Sequence, residues 1–227
     1  MTHRWLHLRL AGPLMAFGGV AIDHVGPTRQ FPAASMLTGL LANALGWRRE
    51  EAERHQCLQD RLVFGALTAQ QGRILLDTQN AKLEKNDRGW TTHGIPEGRD
   101  GATYDSPHRR RREYLADHDC RVVLRLAPEG APTLDDLAAA LECPARPLFL
   151  GRKPCFPAAP LFAGWVVGDS ALAALRAIGL PGPAQWTEGD EGDTAPPSAH
   201  RQALADLRNW RSGLHGGSRV VVTGELP

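Results

Sequence analysis

The chain has 227 residues and an almost balanced charge, with 26 Lys and Arg against 25 Asp and Glu. A hydrophobic content of 42% is enough for a packed core and excludes a disordered chain. The net charge of +1 argues against a general polyanion binder, because non-specific nucleic-acid binding usually shows as a strong basic excess.

The charge is nevertheless unevenly distributed along the chain. Residues 1–125 hold 18 Lys and Arg against 14 Asp and Glu, whereas residues 126–227 hold 8 against 11. A basic patch can therefore exist in the first half although the average is near zero. The length alone is compatible with one domain or with two small ones.

The N-terminal sequence and the cysteines predict a cytoplasmic protein. The first ten residues are interrupted by Arg4, His7 and Arg9, so they lack the apolar core of a secretory signal, and no apolar run reaches the length of a membrane span. The four cysteines form no CxxC pair, and we expect free thiols without structural zinc. No Walker or dinucleotide-binding glycine motif occurs, and no cofactor is expected.

A strand and a helix are predicted first. Trp5–Leu10 alternates apolar and polar residues with the period of a half-buried strand, and Gly12-Pro13 is expected to end it. Apolar residues then recur at helical spacing over 36–45. Ser35 is expected to cap this helix, because its hydroxyl can accept a bond from a free amide of the first turn.

The next segment combines a helix, two strands and a long polar stretch. A second helix is predicted at about 49–61, followed by short strands at 62–67 and 73–77 around a turn at 70–72. Residues 81–118 are polar, contain four glycines and lack apolar periodicity. A loop of this length inside a compact domain is either functional or disordered.

The second half predicts the remaining elements of an α+β chain. They are a strand at 120–126, a helix at 133–141 capped near Thr133, a strand at 161–167, a helix at 170–178, an acidic proline-rich surface loop at 182–199 and a strand at 220–223. The element order fits ferredoxin-like βαββαβ topology over the first two-thirds of the chain.

Four consecutive arginines, Arg109–Arg112, form the strongest charge cluster. Two interpretations are open. The run is either a solvated part of the long loop or a phosphate clamp, since guanidinium groups bind phosphate bidentately. Its place in a glycine-containing loop between strands favours the nucleic-acid interpretation.

Glycine loops and loop aromatics add further candidates. Gly12 and Gly151 each follow an apolar segment and permit close approach of a backbone or ligand, and Arg152 and Lys153 add two charges beside Gly151. Loop aromatics can stack on unpaired bases. Phe17 and Tyr114 are the best candidates, because glycine or arginine lies nearby.

Histidines in the polar stretch support an alternative, catalytic interpretation. His93, His108 and His118 could act as acid or base in metal-independent RNA cleavage, together with a nearby Tyr or Lys. No HExxH motif accompanies them, and sequence spacing does not place any of them beside a 2′-hydroxyl.

Four ordered segments resemble the CasD-type subunit family of the type I-E CRISPR Cascade surveillance complex, within the RAMP superfamily. They are Arg9-Leu10-Ala11-Gly12-Pro13, then Phe31-Pro32 with Ser35 and Leu40-Leu41, then Arg112-Glu113-Tyr114-Leu115 with Asp117, and finally Phe149-Leu150-Gly151-Arg152-Lys153 with Cys155 and Pro160-Leu161-Phe162. A weaker match, Ser218-Arg219, lies in the final predicted strand.

The resemblance implies a modified ferredoxin-like (RNA-recognition-type) palm in one domain over 1–227. A long thumb would be inserted at about 78–118, and a short C-terminal β-containing extension would cover about 180–227. It implies a non-catalytic subunit that holds the 5′ handle of the CRISPR RNA for antiviral defence and contacts the backbone and large subunits. Target DNA is a further candidate partner, and neither a metal nor a membrane is implied.

Two other functions stay open beside this one. Relatives in another subtype cleave precursor CRISPR RNA, which makes a metal-independent endoribonuclease the alternative. A purely structural adaptor, whose arginines face acidic partner surfaces, is the third hypothesis.

The predicted RNA-binding residues combine the resemblance with residue chemistry. They are Gly12, Met15, Phe17, Arg29, Ser35, Arg109, Arg110, Arg111, Arg112, Tyr114, Leu150, Gly151, Arg152 and Lys153. Arg112 is the first choice, because it matches the arginine of the family's Arg-Glu-Tyr-Leu motif. The chain departs from the family at Met15 and Phe17, where members can carry Gln and Trp. It departs again at Gln30, where an arginine often precedes Phe-Pro.

Overall fold

The computed structural model describes residues 1–81, 108–188 and 195–227. The strands within these ranges are β1 His3–Met15, β2 Val25–Gly26, β3 Leu62–Gln70, β4 Arg73–Ala81, β5 His108–Leu126, β6 Phe162–Gly168, β7 Gly182–Thr187, β8 His200–Arg208 and β9 His215–Leu226. The helices are α1 Ala34–Ala44, α2 Ala52–Arg61, α3 Leu134–Glu142 and α4 Ala171–Ala177.

The described strands form one continuous sheet, and the fold is mixed α/β and dominated by that sheet. The strand order is β6-β1-β5-β3-β7-β9-β8, and neighbouring strands along this path are antiparallel. Two strands lie off the path and pair with β5: β2 in parallel and β4 antiparallel.

Alternating side chains give the sheet two buried faces. Leu6, Leu8 and Leu10 of β1 belong to the larger core, which also contains apolar residues of α1, α2 and α3. Trp5 points to the opposite face and packs in a smaller core with residues of α4. The strands are thus covered on both faces, so the period-2 pattern that predicted β1 and the end of β5 is confirmed.

The first strand is longer than the sequence predicted. It pairs with β5 through Met15, beyond the Gly12-Pro13 pair that was expected to end it. Pro13 is tolerated because the ladder between β1 and β6 ends at Leu8, and a missing N–H then leaves no bond unmade on that side. The extension draws the segment at Met15–Phe17 into the core, where both side chains are fully buried.

The predicted turn at 70–72 is wrong. Both β3 and β4 run antiparallel to β5, one after the other along the same strand, and they do not pair with each other. The break between them keeps the register, from Gln70 opposite Asp119 to Arg73 opposite Ala116, and Asp117 on the facing strand has a φ of 55°. A Cβ on Gly72 would lie 2.4 Å from the Ala116 carbonyl oxygen, so this close approach requires a glycine.

The four arginines lie in a strand and not in a loop. Arg109–Arg112 belong to β5 and pair with β4, so the polar stretch predicted for 81–118 becomes a strand from His108 onward. Arg109 and Arg111 are exposed, whereas Arg110 and Arg112 are half-buried, as alternation across a strand requires. Because both faces carry polar residues here, apolar periodicity could not mark the strand.

The acidic surface loop predicted at 182–199 is wrong in its first part, because β7 occupies Gly182–Thr187. Gln185 and Trp186 of this strand are buried between β3 and β9. The sequence also missed β8, which is an edge strand with mostly exposed side chains and no apolar alternation. Most of the acidic residues expected in the loop fall at 189–194, outside the described residues.

Helix capping is partly as predicted. Thr133 caps α3 in a capping box with Asp136, which confirms the cap expected there. Ser170 caps α4 and was not predicted to do so. Ser35 does not cap α1, because the helix begins one residue earlier, at Ala34. The carboxylate of Asp206, from β8, accepts the Ala34 N–H at 3.1 Å instead.

Arg61, at the end of α2, organises the loop that leads into α3. It is buried, and its guanidinium donates to the carbonyl oxygens of Pro128, Gly130, Ala131 and Pro132 at 2.7–3.2 Å. Lysine offers a point charge without the planar fork of arginine. Arg61→Lys should therefore lower the free energy of unfolding by about 2 kcal/mol in urea titration.

The control for this substitution is Arg54→Lys in the same helix. Arg54 has a side chain that is 58% exposed, pairs with Glu51 one turn away and lies 4.5 Å from the centre of the Trp47 ring. Lysine can keep both contacts, so Arg54→Lys should change the free energy of unfolding by less than about 0.5 kcal/mol. Equal losses for the two variants would contradict the role assigned to Arg61.

Candidate nucleic-acid interface

A wide groove on one side of the molecule is lined by several cationic side chains. It has a volume of about 890 Å³ and lies between α1, the loops at 16–18 and 149–153, and the connection between β8 and β9. Among the described residues that line it, Glu50 is the only carboxylate and the cations are Arg49, Arg146, Arg152, Lys153, Arg208 and Arg211. We call this feature the basic groove.

The loop after Leu150 is fastened to the end of β1. The Leu150 carbonyl accepts the Ala16 N–H at 3.0 Å, and the loop closes on itself through the Leu150 N–H to the Cys155 carbonyl at 2.6 Å. Gly151 has a φ of 94°, and a Cβ at this position would lie 1.7 Å from the Ala16 carbonyl oxygen. Only glycine fits this wall of the groove.

Arg152 is tied to the protein, whereas Lys153 is free. Arg152 donates to the carbonyls of Glu113 at 2.8 Å and Gly26 at 2.9 Å, and its guanidinium lies 4.9 Å from the centre of the Tyr114 ring. Lys153 is exposed and has no hydrogen bond or ion pair with any described residue. Its ammonium group is therefore available to a ligand in the groove.

Gly26 in β2 makes room for two guanidinium groups. A Cβ there would lie 2.5 Å from Nη1 of Arg112 and 3.0 Å from Nη2 of Arg152. Neither arginine forms an ion pair with a described carboxylate. Two adjacent cations that lack a carboxylate partner favour binding of an anion such as a phosphate.

Four of the predicted residues have buried side chains. Met15, Phe17 and Leu150 are fully buried and Tyr114 is 5% exposed. The ring of Phe17 packs edge-on against His118 at 5.8 Å, and Arg152 covers the ring of Tyr114. The prediction that Phe17 and Tyr114 stack on bases is therefore not supported, because neither ring has a free face.

Apart from Arg112, which lies beside Gly26, the other predicted residues divide into three groups. Ser35, Gly151, Arg152 and Lys153 meet with the Phe17 segment in the basic groove. Arg109 and Arg111 are exposed on the strand of the β4–β5 hairpin, and Arg110 donates to the Asp23 carbonyl at 2.9 Å. Gly12 and Arg29 lie elsewhere.

Gly12 and Arg29 lie outside the basic groove and have structural roles in other parts of the fold. A Cβ on Gly12 would lie 2.7 Å from the Phe156 carbonyl oxygen, so Gly12 permits β1 and the 155–158 segment to pack closely. Arg29 donates to the Ala205 carbonyl at 2.8 Å and lines a separate, smaller pocket. Neither of them lines the basic groove.

Sequence reasoning missed four of the six cations that line the groove, Arg49, Arg146, Arg208 and Arg211. Arg49 and Arg208 are far apart in the chain, yet both have a guanidinium nitrogen within 4 Å of the Cβ position of Gly213. Trp210 holds this wall in place, since its Nε1–H donates to Gln59 at 3.0 Å and its ring stacks on His55 at 4.7 Å. No local pattern links residues of α2 to the β8–β9 connection.

The histidines of the catalytic alternative do not reach the groove where they can be described. His118 is 2% exposed, its Nδ1 accepts the Gly72 N–H at 3.1 Å, and burial lowers the pKa of its ring. His93 lies outside the described residues, and so does the side chain of His108.

The described ranges also bear on metal binding and on membrane insertion. There, no group of three His, Cys, Asp or Glu side chains is arranged to hold a metal ion. None of the described helices is both long and apolar enough to span a membrane. All four cysteines are free thiols.

Comparison with known proteins gives consistent matches. Residues 5–222 match the family model described as CRISPR-associated protein (Cas_Cas5). The chain is 31% identical over 171 residues to the CRISPR system Cascade subunit CasD of Escherichia coli (strain K12), which covers 75% of both proteins.

Two solved structures have the same fold. A chain of a CRISPR RNA-guided surveillance complex superposes with a TM-score of 0.65 at 23% identity and covers 98% of this chain and 91% of that one. A crystal structure of a Cas protein superposes with a TM-score of 0.64 at 23% identity, over 100% and 95%. With the family match over nearly its whole length, the chain belongs to the Cas5 family of CRISPR-associated proteins.

Proposed function

We propose that this protein is a CRISPR-RNA-binding subunit of a type I-E Cascade complex that holds the 5′ handle of the RNA in the basic groove and does not cut it. The observation that carries the proposal is a groove with six cationic side chains and one carboxylate among its described residues, in a member of the Cas5 family. One of the six, Arg211, is paired with Glu53 outside the lining, and the other five have no ion pair with a described carboxylate. Relatedness to the Cascade subunit CasD supports the assignment of the complex.

The strand order supports a palm, a thumb and an extension within one domain. The elements β1-α1-β3-β5-α3-β6 follow βαββαβ order, and their strands lie antiparallel as β6-β1-β5-β3, which is the ferredoxin-like arrangement. We assign β4 and the first half of β5 to the thumb, whose connection at 82–107 lies outside the described residues. The strands β7, β9 and β8 continue the sheet as the C-terminal extension.

The groove chemistry suits a short single strand of RNA. Phosphate contacts fix the position of a strand, and Lys153 and Arg49 are exposed at two walls of the groove. Arg112 and Arg152 lie together beside Gly26, and this pair of cations supports the RNA-contact role that we propose for Arg112. A focused patch of this kind is compatible with a net charge of +1.

The thumb carries the surface that we assign to neighbouring subunits. Ile74, Leu75 and Leu76 of β4 are 43–57% exposed, and Arg109 and Arg111 project from the paired strand. An exposed apolar run beside two cations suits a protein partner of the complex, with target DNA as a further candidate for the arginines. The endoribonuclease alternative gains no support from the buried ring of His118.

The Lys153→Ala variant tests RNA binding in the groove. Its exposed ammonium has no described partner, so its loss should remove one phosphate contact without disturbing the fold. The slope of log affinity against log salt for a short CRISPR-repeat RNA should become shallower by about 0.7. Fluorescence anisotropy at a series of salt concentrations measures this slope.

The matched control is Arg201→Ala, a surface cation that lies outside the groove and pairs with Glu188. Its slope should equal that of the wild type. An unchanged slope for Lys153→Ala would remove this residue from the site. Specific cleavage of the same RNA by wild-type protein in EDTA would overturn the non-catalytic assignment.

A further inference from the structure

A second pocket lies between the segment before α1 and the C-terminal strands. It has a volume of about 410 Å³ and is separate from the basic groove. We call it the glutamine pocket, and its lining residues are Arg29, Gln30, Phe31, Gln185, Gln202, Leu204 and Thr223. Three primary amides in one pocket offer both donors and acceptors, which is the chemistry that reads the edge of a nucleobase.

The hydrogen bonds within the pocket leave acceptors open. Nε2 of Gln185 and Nε2 of Gln202 both donate to the Thr223 hydroxyl, at 3.4 and 3.0 Å. Nε2 of Gln30 donates to Gln71 at 2.8 Å. The amide oxygens of the three glutamines accept no hydrogen bond from a described residue, although Gln185 is only 7% exposed.

Arg29 supplies an open donor beside these acceptors. Its Nη2 donates to the Ala205 carbonyl at 2.8 Å, whereas its Nη1 is buried and has no partner among the described residues. A buried N–H of a charged group without a partner is costly. A ligand that brings a carbonyl oxygen or a ring nitrogen would satisfy it.

The pocket is also partly apolar and is held by regular structure. Phe31 and Leu204 line it, and both suit contact with the face of a flat ring. Gln185 pairs with Thr223 across the β7–β9 ladder, so two of the polar groups are fixed by the sheet. With one cation and no carboxylate or lysine in the lining, the pocket fits a neutral base better than it fits a phosphate or a charged peptide.

We propose that the glutamine pocket binds one unpaired nucleobase of the RNA strand and discriminates among bases through Arg29, Gln30, Gln185 and Gln202. This inference rests on the proposed function, since it requires an RNA strand on the protein. It adds a base-reading site to a groove that recognises the phosphates.

The test measures base preference separately from affinity. Fluorescence anisotropy compares eight-nucleotide oligo(rA), oligo(rC) and oligo(rU) at one salt concentration, with wild-type protein and with Gln202→Leu. Gln202 is exposed on β8, so the variant should fold, and its urea midpoint verifies this. For the wild type, we expect the dissociation constants of the tightest-binding and weakest-binding RNA to differ about 10-fold. For the variant, they should differ less than about 3-fold.

Lys153→Ala is the matched control. It should weaken binding of all three RNAs equally and keep their ratio. Arg29→Lys retains the positive charge but loses the planar guanidinium group. It should reduce the ratio of affinities among the three RNAs as Gln202→Leu does. Equal affinities on the wild type, or a ratio that survives in both pocket variants, would overturn the base-reading site while leaving the proposed function intact. Absence of binding to every RNA would overturn the proposed function as well.

Discussion

Replacing Asp206 with asparagine is expected to lower the free energy of unfolding by about 3–5 kcal/mol. The Asp206 side chain is fully buried, and its carboxylate accepts from Nε and Nη2 of Arg219 at 3.0–3.1 Å. The neutral amide would leave the guanidinium of Arg219, which is only 15% exposed, without a counter-charge. An unpaired buried charge is far more costly than the loss of an exposed pair.

The substitution would also weaken the cap of α1, because the amide oxygen of asparagine accepts a hydrogen bond less strongly than a carboxylate does. Oδ2 of Asp206 accepts the Ala34 N–H at 3.1 Å, so one carboxylate joins β8 to the first turn of the helix. Arg219 in turn lies 4.1 Å from the centre of the Phe64 ring and donates to Thr187. Because α1 forms a wall of the basic groove, we expect RNA affinity to fall together with stability in this variant.

Urea unfolding followed by circular dichroism measures the loss. The matched control is Glu188→Gln, which breaks an ion pair with Arg201 whose side chains are 43% and 66% exposed. That variant should differ from the wild type by less than about 1 kcal/mol. A similarly small loss for Asp206→Asn would show that the buried pair contributes little.

The sequence predicted those elements whose signals are local. The alternation in Trp5–Leu10 and the helix cap at Thr133 depend on residues within one strand or one helical turn, and both were identified. Asp206 could not be recognised as the cap of α1, because the residue it caps lies 172 positions earlier in the chain. Ser35 was the local candidate for that position, and a carboxylate from a distant strand occupies it instead.

The candidate site was predictable to a similar extent. The Gly151-Arg152-Lys153 segment was identified from a motif, and it forms one wall of the basic groove. Arg49 and Arg208 carry no such motif, since only the sheet brings their elements together. The stacking role of Phe17 failed for a related reason: pairing with β5 extends β1 beyond Pro13 and draws the following ring into the core.

The largest effect on both stability and binding is expected for Gly151→Ala. The φ of 94° is unfavourable for alanine by itself, at about 1–2 kcal/mol. In addition, the new Cβ would lie 1.7 Å from the Ala16 carbonyl oxygen and 2.8 Å from its carbon, which are rigid backbone atoms. The loop that carries Arg152 and Lys153 would have to leave the end of β1, with a loss of more than about 4 kcal/mol.

Gly179→Ala separates the steric clash from the backbone strain. Gly179 has a φ of 73°, and a Cβ there would meet nothing within 4 Å. This variant should lose only the conformational part, about 1–2 kcal/mol, and should bind RNA as the wild type does. Urea titration and anisotropy on both proteins make the comparison. Equal losses of stability with unchanged RNA affinity would show that the contact between Gly151 and Ala16 does not shape the groove. A larger loss of stability for Gly151→Ala alone would show that this glycine positions Arg152 and Lys153.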